Sequence, residues 1–244
     1  MTRLLGSELF KLRSTRTFYG IVGGSLGLVL VIVILVTALV NFTPSDHPLT
    51  DIMNFAAFVQ PFALVLGILA ITSEFRHGTI TPSLLVAPHR PRLVLAKLGA
   101  SVAIGFALGL VTTVLVFLIV KGIGGLRDLD TSGDAGTLII GGTIDTALWA
   151  ALGLGVGSVL RNQVGAIVGS LVYLFVLENL LQIIPGLDDI IRKYGFGGVS
   201  SGLFGADDSS DLLGQLPAGL LFAAYAGIFV VAGILVIERR DVTA

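Results

Sequence analysis

Cysteine is absent from the 244-residue chain, histidine occurs three times, tryptophan once, and charged residues make up only 13%. Without cysteine there are no disulfides and no thiolate metal sites. His47, His77 and His89 all lie outside the long apolar runs, which excludes a histidine-based nucleophile or metal centre inside them. Glu74 and His77 sit close enough in sequence to share a metal, but no third ligand accompanies them, and no metal is expected. No phosphate-binding loop of the form G-x-x-x-x-G-K-[ST] occurs, so the chain itself is not expected to hydrolyse a nucleotide or to act as an enzyme. A net charge of −1 gives no long-range pull on nucleic acid, and no nucleic-acid partner is expected.

What is there is apolar. Hydrophobic residues make up 54% of the chain and the mean hydropathy is +0.96. A bilayer core is crossed by about 20 mainly apolar residues in a helix. Six segments meet or approach that length: Phe18–Val40, Phe55–Thr72, Leu98–Val120, Leu138–Leu160, Val164–Ile184 and Leu216–Ile237. The second is short unless it begins before Phe55 or continues into Ser73–His77. The first is longer than the roughly 7–15 apolar residues of a signal peptide and reads as a retained span. The expected fold is an all-α membrane protein, a single transmembrane domain over residues 1–244.

Lys and Arg set the orientation, because loops rich in them stay on the cytoplasmic side. With the N-terminus inside, eleven of the 15 fall on that side, and only Lys121, Arg127, Arg192 and Lys193 fall outside. Both termini are therefore expected in the cytoplasm and the chain in the cytoplasmic (inner) membrane, with lipid as a partner.

Three connectors carry structure of their own. Within residues 1–16, Leu5, Leu9 and Leu12 recur at helical spacing, with Glu8, Lys11 and Arg13 assigned to a polar face, so an interfacial helix over 2–13 is expected. An ordinary positive flank is the alternative. The external loop 185–215 has an apolar stripe of Leu187, Ile190, Ile191 and Tyr194, opened by Pro185 and closed by Gly195 or Gly197–Gly198. The glycine-rich stretch 196–204 that follows is too short to span, and reads as a re-entrant or capping helix between spans five and six.

The third connector, 73–97, is basic and punctuated by proline. Gly78 can end the second span's helix in a left-handed conformation. Thr79 or Thr81 can cap a new short helix, with Pro82 at its first position and Pro88 as its stop. Arg90 and Arg92 then return the chain to the membrane, where Lys97 is expected to snorkel.

Here a resemblance emerges. Glu74-x-Arg76-x-Gly78-Thr79, followed by Leu84-Leu85, Pro88, Arg90 and Ala96-Lys97, resembles the signature of the type-2 ATP-binding-cassette (ABC) exporter permeases. The opening Glu8-Leu9-x-Lys11-Leu12-Arg13 and the closing Arg239-Arg240-Asp241-Val242 resemble that family's ends. The chain departs from the family at His89, where a bulky residue often follows the coupling proline, and at the extra break Pro91. The resemblance implies that the block forms a cytoplasmic coupling helix docked on a separate ATPase. Glu74, Arg76, Gly78, Thr79, Thr81, Leu84, Leu85, Pro88 and Arg90 would be its coupling residues. It implies no cofactor in this chain, ATP and Mg on the partner ATPase, and a second copy or a similar permease completing the pathway.

Two carboxylates lie inside spans, Asp145 in the fourth and Glu178 in the fifth, with Gln60 beside Pro61 in the second. Intramembrane acids are functional candidates, so these three are the candidate pathway residues. A proton-coupled secondary transporter using Asp145 and Glu178 is the alternative function. Both acids also lie near enough to the external face to be solvated there.

Overall fold

The computed structural model describes residues 2–42, 48–78, 90–127, 129, 131, 133–205 and 212–239. Among them every regular element is a helix. Six helical segments are long and apolar enough to cross a membrane: Arg16–Leu39, Pro48–Arg76, Pro91–Leu126, Ala135–Leu160, Gln163–Leu181 and Gln215–Glu238. The chain is an all-α membrane protein.

Helix α1 (Thr2–Arg13) precedes α2 (Arg16–Leu39), whose first turn is capped by the Thr15 hydroxyl, which accepts from the Phe18 N–H. Only Ser25, Val29, Val33 and Thr37 of α2 are buried, a stripe repeating every four residues. Arg127 donates to the Thr37 and Val40 carbonyls at 2.8 and 2.9 Å, placing a cation on the C-terminal end of that helix.

The second span runs both earlier and later than Phe55–Thr72. It comprises α3 (Pro48–Met53), a 3-10 turn (Asn54–Val59) and α4 (Gln60–Arg76). The change of helix type coincides with Pro61, which has no N–H to donate and whose ring crowds the carbonyl four residues back. Helix α5 (Arg90–Leu126) has 37 residues, about 55 Å at 1.5 Å per residue, and so projects beyond a hydrocarbon core of about 30 Å.

Helix α6 (Ala135–Leu160) is the hub, packed against α4, α5 and α11 (Gln215–Arg239). Glycine makes this possible. A Cβ built at Gly67 of α4 would overlap the Ala150 carbonyl, and one at Gly153 of α6 would overlap the Leu64 carbonyl, so the two backbones are in direct contact. Gly105 and Gly109 of α5 lie against Thr146 and its neighbours, less tightly, with a built Cβ 2.8 Å from the nearest atom. Gly20 and Gly24 of α2 meet no neighbour. Gly105-x-x-x-Gly109 and Gly153-x-x-x-Gly157 therefore seat helices inside the chain, and Gly20-x-x-x-Gly24 does not.

The fifth span consists of α7 (Gln163–Val172), a π-helical turn (Tyr173–Leu177) and α8 (Glu178–Leu181). The Asn179 side chain donates to the carbonyls of Leu174 and Phe175, which lie in that wide turn. Two short helices follow, α9 (Asp188–Tyr194) and α10 (Phe196–Phe204). Helix α9 begins three residues after Pro185, later than the proline suggests, and ends at Gly195 as expected. It is largely exposed, whereas α10 buries Val199, Ser200, Leu203 and Phe204 against α6 and α11.

Candidate functional site

Two polar sites interrupt this apolar bundle. The first joins α1, α4 and α5 at the end where the chain passes through residues 79–89. Lys97 is 2% exposed, contrary to the expectation that it snorkels. Its ammonium has three N–H groups, and each finds an acceptor: Glu8 at 2.6 Å, Glu74 at 2.7 Å and the Ala70 carbonyl at 3.2 Å. Lys11 reaches the same two carboxylates at 2.8 and 3.1 Å from a position nearer water. A fully desolvated ammonium is stable only when paired and hydrogen-bonded, which is why the side chain turns inward here.

The electrostatics of this knot are mutual. Burial opposes ionisation of Glu8, yet the charges and hydrogen bonds of Lys97 and Lys11 outweigh it and hold the carboxyl below its ordinary range. For Lys11, too, partial burial opposes the charge, while Glu8 and Glu74 raise its affinity for a proton above the ordinary value. Beside the knot lies a cavity of about 570 Å³, lined among others by Glu74, Arg76, His77, Lys97 and Gln163.

The candidate coupling residues divide around this knot. Glu74 is inside it. Arg76 ends α4 and donates to Gln163 at 3.4 Å, and Gly78 has φ of 66°, the left-handed conformation expected of it. Arg90 is the first residue of α5. Thr79, Thr81, Leu84, Leu85 and Pro88 lie outside the described residues. Glu8 was the residue misassigned from sequence. It falls three residues after Leu5 and four before Leu12, on the leucine face rather than the polar one, and that spacing was the legible signal.

The second site lies deep in the bundle and brings together the three candidate pathway residues. Asp145 is 0% exposed, an interior residue of α6 rather than a solvated one near a helix end. Its Oδ2 accepts hydrogen bonds from the Gln60 side-chain amide and, at 2.9 Å, from the Ser200 hydroxyl. Ser200 in turn accepts from the Trp149 indole N–H at 3.1 Å. The other carboxylate oxygen, Oδ1, is buried without a partner among the described residues. Glu178 is also buried, and its Oε1 accepts from the Gly197 N–H at 2.7 Å. Gly197 is in the first turn of α10, where N–H groups lack intrahelical acceptors and favour a negative charge.

Trp149 and Ser200 were not singled out from sequence. The indole was the better signal, since a buried tryptophan N–H needs an acceptor; Ser200 had only its place in an apolar, glycine-rich stretch.

A family model of the ABC-2 family transporter proteins matches residues 35–190. The chain belongs to that family. The matched region holds Gln60, Glu74, Lys97, Asp145 and Glu178, so this ABC-2 permease carries most of both sites within its family-defining part. Glu8 and Ser200 come from outside it. No individual curated protein matches the permease.

Proposed function

We propose that this permease is the membrane subunit of an ATP-driven exporter, energised by a separate ATPase that docks on residues 79–89. Both termini then face the cytoplasm, as the distribution of Lys and Arg favours. The observation that carries the reading is the Glu8–Lys97–Glu74 knot. It clamps α1 and the two helices that flank 79–89 into one unit, so a displacement of that segment is transmitted to spans two and three together. ATP and Mg belong to the partner, in keeping with the missing phosphate-binding loop. The family resemblance makes six spans half of a pathway, so a second copy or a similar permease supplies the rest.

The test is a mild-detergent pull-down of the full chain from its native membrane, with ATP hydrolysis assayed on the eluate. An ATPase that co-purifies with wild type and is lost from the Thr79→Asp/Leu84→Asp double variant supports the reading. Undiminished ATP-driven transport by that double variant overturns the docking site.

A second reading, proton-coupled transport through Asp145 and Glu178, is favoured by one observation. Neither buried carboxylate has a Lys or Arg partner among the described residues. Transport that continues after the proton gradient is collapsed, and stops without ATP, rules it out.

A further inference from the structure

Two cavities in the same region share Trp149 and Leu174 as wall residues. One, of about 340 Å³, is lined by Gln60, Glu178, Asn179 and Gln182 together with apolar neighbours. The other, of about 260 Å³, is lined by Leu64, Leu152, Tyr173, Phe196 and Phe229 among others. The π-helical turn lies at the junction, with Tyr173 and Leu174 on the apolar side and Leu174 and Phe175 on the amide side.

The charge in this space is one-sided. Glu178 is 3% exposed, and its Oε1 is held by the Gly197 N–H. Its Oε2 makes no hydrogen bond to any described residue. No Lys, Arg or His lines either cavity among the described residues. A carboxylate in such a setting is costly to keep ionised without a cation beside it. A positive group at Glu178 removes that cost, and an anion there adds to it. A metal ion is a poor occupant, because no cluster of three or more His, Asp or Glu exists among the described residues. The adjoining chamber offers an apolar body its walls, and the rings of Trp149, Tyr173 and Phe196 attract cations by their faces.

We infer that the two cavities form one binding site for an amphiphilic organic cation, its positive centre at Glu178 and its apolar body among Trp149, Tyr173 and Phe196. The inference rests on reading the chain as a transport subunit and names the class of its cargo. Glu178 thereby has two roles, one oxygen positioning α10 and the other facing the ligand. Gln60, Asn179 and Gln182 supply neutral amides that solvate the charged end without competing for it. The two volumes together fall within the roughly 300–1,000 Å³ of small-molecule sites.

Trp149 is the only tryptophan in the chain and borders both cavities, so its fluorescence reports occupancy directly. The experiment titrates the full chain in lipid nanodiscs with tetraphenylphosphonium and with tetraphenylborate, which have similar shape and opposite charge. The expected result is a saturable change in Trp149 emission with the cation, and binding of the anion at least about tenfold weaker. Glu178→Gln is expected to abolish that preference. Gly169→Leu is expected to weaken binding of the cation, because Gly169 lines the apolar chamber with no neighbour within 4 Å of a Cβ placed there. Equal binding of the two ions by wild type overturns the inference, as does a cation preference that survives Glu178→Gln. Unchanged cation binding by Gly169→Leu overturns the location. Should Glu178→Gln fail to assemble, the wild-type comparison of the two ions decides alone. No ATPase is present in this titration, so failure of the cation site and failure of ATPase coupling appear in different experiments.

Discussion

Asp145 and Glu178 hold the same short helix one turn apart: Asp145 through the Ser200 hydroxyl and Glu178 through the Gly197 N–H. No hydrogen bond joins the two carboxyl groups to each other. Helix α10 is therefore suspended between an acid of span four and an acid of span five, and any change at either one is felt by the element that connects spans five and six.

Ser200→Ala tests that suspension. It deprives the Trp149 indole of its acceptor and Asp145 of one donor, leaving Gln60 as the carboxylate's hydrogen-bond partner. Stranding buried polar groups costs about 1–3 kcal/mol. The expected outcome is a lower unfolding midpoint in detergent and faster hydrogen exchange in α10. Unchanged exchange there would show that α10 is held by its aromatic packing alone.

Lys97 and Lys11 touch the same two carboxylates but are not equivalent. Lys97→Met leaves two buried acids facing one partly exposed cation, a loss of about 3–5 kcal/mol expected for breaking a buried pair. Lys11 has a 48% exposed side chain, so solvent screens its pairs and Lys11→Met costs about 1 kcal/mol or less. The comparison is made by thermal unfolding of the two variants under one set of conditions. Equal losses would contradict the assignment of Lys97 as the central cation.

The pH response of the knot follows from the direction of two shifts. Glu8 is held below its ordinary 4.5, so its contribution is complete above that value and is lost as pH falls through the lowered one. Lys11 is held above its ordinary 10.5, so its contribution is complete below that value and is lost as pH rises through the raised one. Docking of α1 is expected to hold between these limits and loosen outside them. Protease sensitivity of α1 measured against pH checks this. Glu8→Gln should erase the acid limb and weaken the alkaline one, because Glu8 is foremost among the groups that raise Lys11.

Helix α2 and helix α6 should answer differently to the same substitution. Gly153→Ala drives a methyl group into the Leu64 carbonyl and should cost about 1–3 kcal/mol, the range for overpacking. Gly24→Ala meets nothing and gains helix propensity, up to about 1 kcal/mol. Paired melting curves decide it; similar midpoints would mean that α4 and α6 separate at little cost.

Much of the architecture was legible because each feature has a local cause. A run of some 20 apolar residues has to be a helix in lipid, since no water is there to satisfy its backbone. The left-handed Gly78, the stop at Gly195 and the short buried helix 196–204 are likewise readable from residue type and spacing. The second span was legible only as two open extensions, before Phe55 and into Ser73–His77, and the structure takes both, with Pro48 and Pro61 at the starts of successive helical pieces. Lys97 was misread. A lysine at a span's end normally reaches for water, and only the presence of Glu8 and Glu74 at the same place makes burial the better state.

The sequence by itself determined that this is a six-span, all-helical membrane chain, and that Asp145, Glu178 and Gln60 are out of place in lipid. Hydropathy, length and the cost of a buried charge are properties of residues, and they survive without coordinates. Only the tertiary structure decided the partnerships. Gln60 meets Asp145 across 85 positions of sequence, Glu8 meets Lys97 across 89 and Ser200 meets Asp145 across 55. Those meetings depend on how closely the helices cross, which Gly67 and Gly153 set by letting two backbones touch. Helix periodicity gives the face on which a side chain lies, and packing chooses what stands opposite.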